Sequence, residues 1–309
     1  MRVLLTGATG LLGAHLLKQG LDQGVDFLCL GRSISKRSYL AQCQDQVRFV
    51  SIDLTDEKKI KELDEEVDLV IHAAALASPF QKDDEAMEEL NVKGTKNLYQ
   101  KFGNSCSWVQ VSSVATMSNG SNQIINESNF GSYRETTYAR TKIETDKWLE
   151  SQSSNILFIH PCYMLGEWDA RPSSGSIFLG LKLNKFKYYL NGQKNFVAAE
   201  DVARGIWQAI DKKAKGRFLL GHINSDLEDF FSLACEKLKL DSVPKCIDLN
   251  SENTISEEGQ RFMKEFCLSN AVDYQKASSQ FGYSPIIGLE EMIDKTLSYF
   301  QEKKLLRIR

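Results

Sequence analysis

The 309-residue sequence predicts an α/β fold: a doubly wound parallel sheet followed by a smaller, discontinuous C-terminal part. Three observations carry that prediction. Short, continuously apolar runs alternate with charge-bearing amphipathic stretches through the first half, as strands buried on both faces alternate with covering helices. The first run, Val3-Leu4-Leu5-Thr6, enters Gly7-Ala8-Thr9-Gly10-Leu11-Leu12-Gly13, with three glycines spaced three apart. Helical periodicity then continues from Leu11 to about Leu21.

A strand, a tight turn and a helix opening at Gly10–Gly13 bring free backbone N–H groups and a positive helix end to one point, which suits a pyrophosphate. A side chain on these glycines would block the turn, the approach of the phosphates or the helix–strand contact. Isolated glycines would mark only a turn between core elements. Flanked by strand and helix, they predict a Rossmann-type dinucleotide site.

Bulk composition sets limits on the remainder. The chain is 42% hydrophobic and 26% charged with 5 prolines, enough for a sizeable core and without the bias of a disordered chain. A net charge of −3 gives no reason to expect a nucleic-acid partner. No apolar run approaches the roughly 20 residues of a membrane span. Only Met1-Arg2 precedes the first strand, so no signal peptide is expected. Seven scattered cysteines (29, 43, 106, 162, 235, 246, 267) without a C-x-x-C fit small hydrophobes in a reducing cytoplasm. The four histidines (15, 72, 160, 222) lack ligand spacing, so no metal site is expected.

The second apolar run, Val25–Gly31, is a buried strand that ends at Arg32 and Ser33, with Lys36 and Arg37 close behind. At this position a carboxylate would accept from the 2′-hydroxyl of NAD, whereas an arginine accommodates the 2′-phosphate of NADP. Arg32 and the absent carboxylate favour NADP, with NAD as the alternative cofactor. Val47–Ile52 is the third strand, ending at Asp53-Leu54, and 56–65 reads as a helix. Val67–His72 is the fourth strand, and the small Ala73-Ala74-Ala75 leave room for a ligand at its carboxyl end. Residues 82–103 form a helix, and Trp108–Val111 form strand five, which runs into Ser112-Ser113. A polar loop over 115–137 precedes a helix at 138–152 and strand six at 156–160, stopped by Pro161.

The alternation then loosens. A short helix near 176–184, an aromatic patch of Phe186, Tyr188 and Tyr189, a helix at 201–211 and a strand at 217–220 follow. Ser225 opens another helix with Glu228 at capping-box spacing, and the last helix covers about 289–304. The expected division is a dinucleotide-binding domain over 1–162, with an extra strand and helix from about 196–211, and a smaller substrate-binding lid over 163–309.

Tyr138 and Lys142 stand at i and i+4, on one helical face. A free tyrosine titrates near ~10, and a neighbouring ammonium favours its phenolate, which makes a general acid/base usable near neutrality. Ser113 can donate to a carbonyl oxygen that becomes an alkoxide as hydride arrives. Tyr299 and Lys303 share the spacing but sit in the terminal helix, where an ordinary amphipathic surface explains them. Ser113 follows strand five and Tyr138 opens the next helix, so chain order selects the first pair.

Thr6–Gly13, Asp53-Leu54, His72–Ala75, Asn91-Val92-Lys93-Gly94-Thr95, Val111-Ser112-Ser113 and Tyr138-x-x-x-Lys142, in that order, resemble the extended short-chain dehydrogenase/reductases. Arg171–Ser174, Asn195–Ala203, Gly216–Gly221 and Phe281–Pro285 narrow the resemblance to the dihydroflavonol-reductase-like branch, often labelled NAD-dependent epimerase/dehydratases. The resemblance implies a catalytic triad of Ser113, Tyr138 and Lys142, with Tyr138 as acid/base and Lys142 also at the nicotinamide ribose. It places Gly7, Gly10, Leu11 and Leu12 at the pyrophosphate, with Thr9, Gly13 and Val111 completing the cofactor set. It puts Asp53 and Leu54 at the adenine, Ala73–Ala75 along the cofactor, and Pro161 and Tyr163 near the nicotinamide. For Asp53 the competing reading is a helix cap, and for Asn91 it is a brace for the sheet.

Departures from the family restrict the chemistry. Val114 and Ala115 stand where dehydratases carry the Asp-Glu pair for β-elimination, so dehydration is disfavoured. No cysteine falls between 106 and 162 to serve as an epimerising base. His160 replaces an arginine and is expected to be a packed histidine at a strand end. The expected activity is NADPH-dependent reduction of a small-molecule carbonyl, or the reverse oxidation of a secondary alcohol. A nucleotide-sugar epimerase is the alternative, and a non-enzymatic dinucleotide sensor a third class. Relatives also suggest a homodimer through helices 82–103 and 138–152.

Overall fold

A computed structural model describes residues 1–77, 81–117, 123–132, 136–247, 266–267 and 270–306. Parts of the expected 115–137 loop and of the C-terminal tail therefore lie outside the described residues. Seven parallel strands form the main sheet: β1 (Arg2–Thr6), β2 (Asp26–Gly31), β3 (Arg48–Ser51), β4 (Leu69–His72), β5 (Ser107–Val111), β6 (Ile156–Pro161) and β10 (Gly216–Leu220). They lie in the order β10-β6-β5-β4-β1-β2-β3, so the direction of winding reverses between β1 and β4. Ligands of such sheets bind at that reversal, beyond the carboxyl ends of the strands.

Alternate side chains of every central strand feed two different cores, as the two-residue period of a strand requires. Val3, Leu5, Phe27, Cys29, Leu69, Ile71, Val109, Leu157 and Ile159 pack on one face with α1 (Leu11–Asp22) and α7 (Ala199–Asp211). Leu4, Leu28, Leu30, Val70, Trp108, Ile156 and Phe158 pack on the other. That second face is covered by α2 (Glu57–Lys61), α4 (Thr95–Phe102) and α5 (Thr137–Gln152). Each fully buried side chain of this size contributes about 1.5–3 kcal/mol. By the same period, His72 and His160 extend from the second face.

The expected helix over 82–103 is three pieces. After α3 (Asp84–Met87), Glu88–Gly94 is a π-helical segment, and α4 follows. A π turn slips the i→i−4 ladder and frees a carbonyl for another partner. Here Asn91 supplies it.

The second half builds its own core. A three-stranded sheet joins β7 (Tyr163–Leu165), β9 (Gln193–Ala198) and β11 (Ile223–Asp226), and β8 (Tyr188–Leu190) pairs with β12 (Lys245–Ile247). Over them pack α6 (Ser176–Lys182), α8 (Leu227–Lys237) and α10 (Leu289–Glu302), while α9 (Gln275–Phe281) lies against β10. Two details differ from the sequence expectations. The segment near 196 pairs in the small sheet, and the extra strand of the main sheet is β10, with only α7 of the expected pair lying against α1. Ser225 belongs to β11, and α8 starts at Leu227 without a side-chain cap, because pairing with Lys194 holds Ser225 extended.

Candidate active site

Gly7 has φ +77°, and a Cβ there would stand 2.7 Å from the Ala73 carbonyl carbon. A Cβ on Gly13 would stand 2.1 Å from the Gly7 oxygen. The first and third glycines are thus demanded by the loop's close approach to the end of β4 and to the helix. Gly10 is the exposed N-cap of α1 and offers no side-chain cap bond. The first N–H groups of α1, from Leu11, Leu12 and Gly13, are left for an external acceptor beside Thr9, which fits the pyrophosphate of a dinucleotide.

At the end of β2, Arg32 and Ser33 are exposed, and the Arg32 carbonyl is held by the Ser51 hydroxyl at 2.9 Å. Arg171 Nη2 reaches across from the second half to donate to Ser33 Oγ at 3.3 Å. The Tyr299 hydroxyl donates to the Arg37 carbonyl at 2.5 Å. Tyr299 is 4% exposed, which corrects its expected place on an amphipathic surface: this tyrosine ties down the loop after β2, while Lys303 pairs with Glu302. Arg171 was legible as part of a branch signature, but nothing local to it points to Ser33.

Asp53 is not the cap of α2; Asp56 is, accepting from Lys59 N at 3.2 Å. Asp53 accepts from Thr55 N at 3.0 Å and Thr55 Oγ1 at 2.9 Å. These bonds, with the charge of Arg32, hold its carboxyl below the ordinary range. Leu54 beside it is buried. Ala73 and Ala74 are half-buried and Ala75 is exposed along the open end of β4.

Behind these alanines lies a directed hydrogen-bond chain. Ala74 N–H donates to Thr6 Oγ1 at 3.1 Å, and Thr6 Oγ1 meets His72 Nδ1 at 2.7 Å. His72 Nε2 meets Thr95 Oγ1 at 2.8 Å, and Thr95 donates to the Asn91 carbonyl at 2.7 Å. The Thr95 proton is committed to that carbonyl, so Nε2 carries the ring hydrogen and Nδ1 accepts from Thr6. Burial holds His72 neutral, pushing it down to about 3. The Asn91 side chain exchanges hydrogen bonds with Leu76 N and O at 2.8 and 2.9 Å and donates to Thr141 Oγ1 at 3.1 Å. Asn91 therefore braces β4 against α5, the structural reading of its two alternatives.

On α5, the Thr136 hydroxyl caps the helix by accepting from Ala139 N at 3.2 Å. Half-buried Tyr138 lies in the first turn. One turn on, Lys142 is 2% exposed and its Nζ donates to the Val111 carbonyl at 2.7 Å. Burial pulls its ammonium down to about 8, against the attraction of Asp146. Ser113, directly after β5, accepts from Ala115 N at 3.1 Å, which leaves its hydroxyl hydrogen for another acceptor. Chain geometry thus brings Ser113 and the Tyr138–Lys142 helix to the carboxyl end of β5. Asp146, buried one turn beyond Lys142, is a neighbour the sequence reading missed, although its i+4 spacing was the available signal.

Pro161 is buried at the end of β6. The Tyr163 hydroxyl donates to the Ser174 carbonyl at 2.6 Å, and its ring meets Phe196 and Phe266 edge-on. Of the aromatic patch, Tyr189 is buried against Phe231 with ring centroids 4.9 Å apart, while Tyr188 is 36% exposed. No group of three or more metal-ligating side chains and no helix able to cross a membrane occurs among the described residues.

The fold and the glycine cradle define an NAD(P)-dependent enzyme of the extended short-chain dehydrogenase/reductase type. The chain belongs to the NAD-dependent epimerase/dehydratase family, whose model matches residues 3–221. It is 31% identical to a Synechocystis protein named as a dihydroflavonol 4-reductase, over 72% of this chain and 68% of that one. It is 30% identical to sterol demethylase protein B of Methylococcus capsulatus, over 71% and 69%. The fold is also that of a dTDP-glucose 4,6-dehydratase from Streptomyces venezuelae solved with NAD, at TM-score 0.80, 20% identity and 98% coverage of both chains.

Proposed function

We propose that the protein is an NADP-dependent carbonyl reductase, or the corresponding secondary-alcohol dehydrogenase, with Tyr138 as acid/base. The observation that carries this reading is the buried Lys142 ammonium, fixed to the end of β5 one helical turn from Tyr138 and beside the residue that precedes Ser113 by two. When bound, the dinucleotide exchanges hydride at its nicotinamide ring. Tyr138 passes its phenolic proton to the substrate oxygen, and the Ser113 hydroxyl donates to that oxygen as negative charge builds. Lys142 places positive charge beside the phenol, which favours its ionised form between turnovers. Val114 and Ala115 offer no carboxylate, so elimination has no acid or base at that position.

Arg32, which precedes Ser33 in the chain, and Arg171, which donates to Ser33 Oγ, support a 2′-phosphate at the adenosine end. Names of the two curated relatives, a reductase and a sterol-modifying protein, support a substrate with apolar surface.

Stopped-flow absorbance with NADPH and a panel of ketones and aldehydes tests the reading. The expected result is NADPH oxidation that falls by about 10²–10⁴-fold in Tyr138→Phe, the usual worth of positioned proton transfer. Arg32→Ala is expected to weaken NADP binding and leave NAD binding near wild type. Tightly retained NAD, no carbonyl turnover and heat protection by a UDP-sugar would overturn the reading in favour of an epimerase.

A further inference from the structure

Three consecutive residues at the end of β5 are each tied to a different buried titratable group. The Val111 carbonyl takes Lys142 Nζ at 2.7 Å, the Ser112 hydroxyl donates to Asp146 Oδ2 at 2.5 Å, and the Ser113 carbonyl lies 3.1 Å from His160 Nδ1. Asp146 and His160 are both fully buried, with His160 Nε2 3.7 Å from the same Oδ2. Neither Asp146 Oδ1 nor His160 Nε2 has a hydrogen-bond partner among the described residues.

The ring hydrogen of His160 can be located by elimination. His160 Nδ1 faces two oxygens at 3.1 Å, the Ser113 carbonyl and Thr116 Oγ1. The carbonyl has no proton to give, and the Thr116 proton is committed to that carbonyl at 2.8 Å. Nδ1 therefore carries the hydrogen, and neutral His160 turns the lone pair of Nε2 toward a carboxylate oxygen. Two acceptors face each other in a site without water access unless one proton sits between them.

Resting on the reading that Tyr138 and Lys142 carry the reaction, we propose that Asp146 and His160 form a buried pair holding one titratable proton. The pair positions Ser113 through its carbonyl and sets the charge beside Lys142, so turnover follows its protonation state. Both are positioning residues. The charges around the pair are Lys142 and Glu150 on α5, Arg217 on β10 and Lys276 on α9. Arg217 is paired with Glu150 at 2.7 Å, and Lys276 donates to the Arg217 carbonyl at 2.7 Å. Burial raises Asp146 to about 6 and lowers His160 to about 3, so the shared proton resides on the carboxyl in acid. As pH rises through that range the proton leaves, and the carboxylate then supports the Lys142 ammonium.

Asp146→Asn separates position from titration, since an amide nitrogen at the Oδ2 position can donate to both Ser112 Oγ and His160 Nε2 without any proton to lose. The expected result is loss of the acid limb of the kcat profile and about a tenfold lower kcat at pH 8, the equivalent of one pKa unit at Lys142, with KM near wild type. In parallel, imidazole ¹⁵N NMR of the four-histidine protein should show His160 as the Nδ1–H form, with a step between pH 5 and 7 that Asp146→Asn abolishes. An Nε2–H form for His160, or a wild-type acid limb in Asp146→Asn, overturns the proposal. If Asp146→Asn does not fold, Ser112→Ala decides: losing one donor should move the acid limb upward in pH, and an unmoved limb overturns the proposal. Tyr138→Phe separates the two failures. Full activity in that variant removes the underlying reading, whereas an inactive Tyr138→Phe beside an unaltered Asp146→Asn removes only this one.

Discussion

Two buried histidines flank β5, His72 at the end of β4 and His160 at the end of β6, on the same face of the sheet. Burial pushes both down to about 3. Their surroundings differ in kind. His72 lies between two threonine hydroxyls, with a donor and an acceptor matched at each nitrogen. His160 meets a backbone carbonyl on one side and a carboxylate at 3.7 Å on the other, with Nε2 unpartnered. A histidine whose neutral form satisfies every neighbour is a strut. One that satisfies its neighbours only when an extra proton is present carries a dependence on pH into the structure.

The largest expected effect comes from breaking the strut. His72→Phe leaves Thr6 and Thr95 facing an apolar ring, and should destabilise the fold by about 3–5 kcal/mol, from strain plus unsatisfied buried groups. Urea unfolding measures it. A loss below about 1 kcal/mol would mean the chain from Thr6 to Asn91 contributes little to holding β4 against α5.

The dependence of stability on pH distinguishes the two sites by sign. The Asp146 carboxyl has a folded value raised to about 6, so its contribution is present below its unfolded value and is lost as pH rises through about 6. His72 is lowered to about 3, so its contribution is present above the unfolded value near ~6.5 and is lost as pH falls toward about 3. Between pH 4 and 6.5, the stability of Asp146→Asn relative to wild type should therefore improve by about 2–3 kcal/mol, at about 1.4 kcal/mol per pH unit. Over the same range His72→Phe should move against the variant. Denaturant midpoints at four pH values check both slopes, and equal signs would erase the distinction.

How much of this was legible beforehand follows from range. The glycine turn, the apolar strands and the Tyr138–Lys142 spacing are local patterns, each set by neighbours within a few residues, and Ser113 is found from its place after strand five. The partners of His72 and His160 are not local: Thr6 and Thr95 are 66 and 23 positions from His72, and Ser113 is 47 from His160. Asp146 reads as one more polar residue in a helix rich in charge, and only the packing of α5 against the sheet, with Ser112 and His160 beside the carboxylate, makes it buried. The π turn at Glu88–Gly94 is invisible for the same reason, because its Asn91 carbonyl is met from another helix by the Thr145 hydroxyl, which lies 3.0 Å from it and 2.7 Å from the Thr141 carbonyl. Ser33 and Arg171 meet across 138 residues, which no local pattern reports.

The smallest expected effect separates the two sites through their threonines. Thr95→Val removes the acceptor of His72 Nε2–H, and no second acceptor stands in its place among the described residues, while the Asn91 carbonyl keeps the Thr145 hydroxyl 3.0 Å away. Leaving one buried N–H unpaired should cost about 1–3 kcal/mol. Thr116→Val is milder, because His160 Nδ1–H keeps the Ser113 carbonyl and that carbonyl keeps His160, so each partner retains the other at 3.1 Å. Its expected loss is below about 1 kcal/mol, the net worth of one exchanged hydrogen bond. The variants remove the same atoms from two fully buried, strand-facing hydroxyls, so the difference between them measures redundancy and not burial. If Thr116→Val proves as damaging as Thr95→Val, then Thr116 is the principal partner of His160 Nδ1, and the Ser113 carbonyl is held from the threonine side.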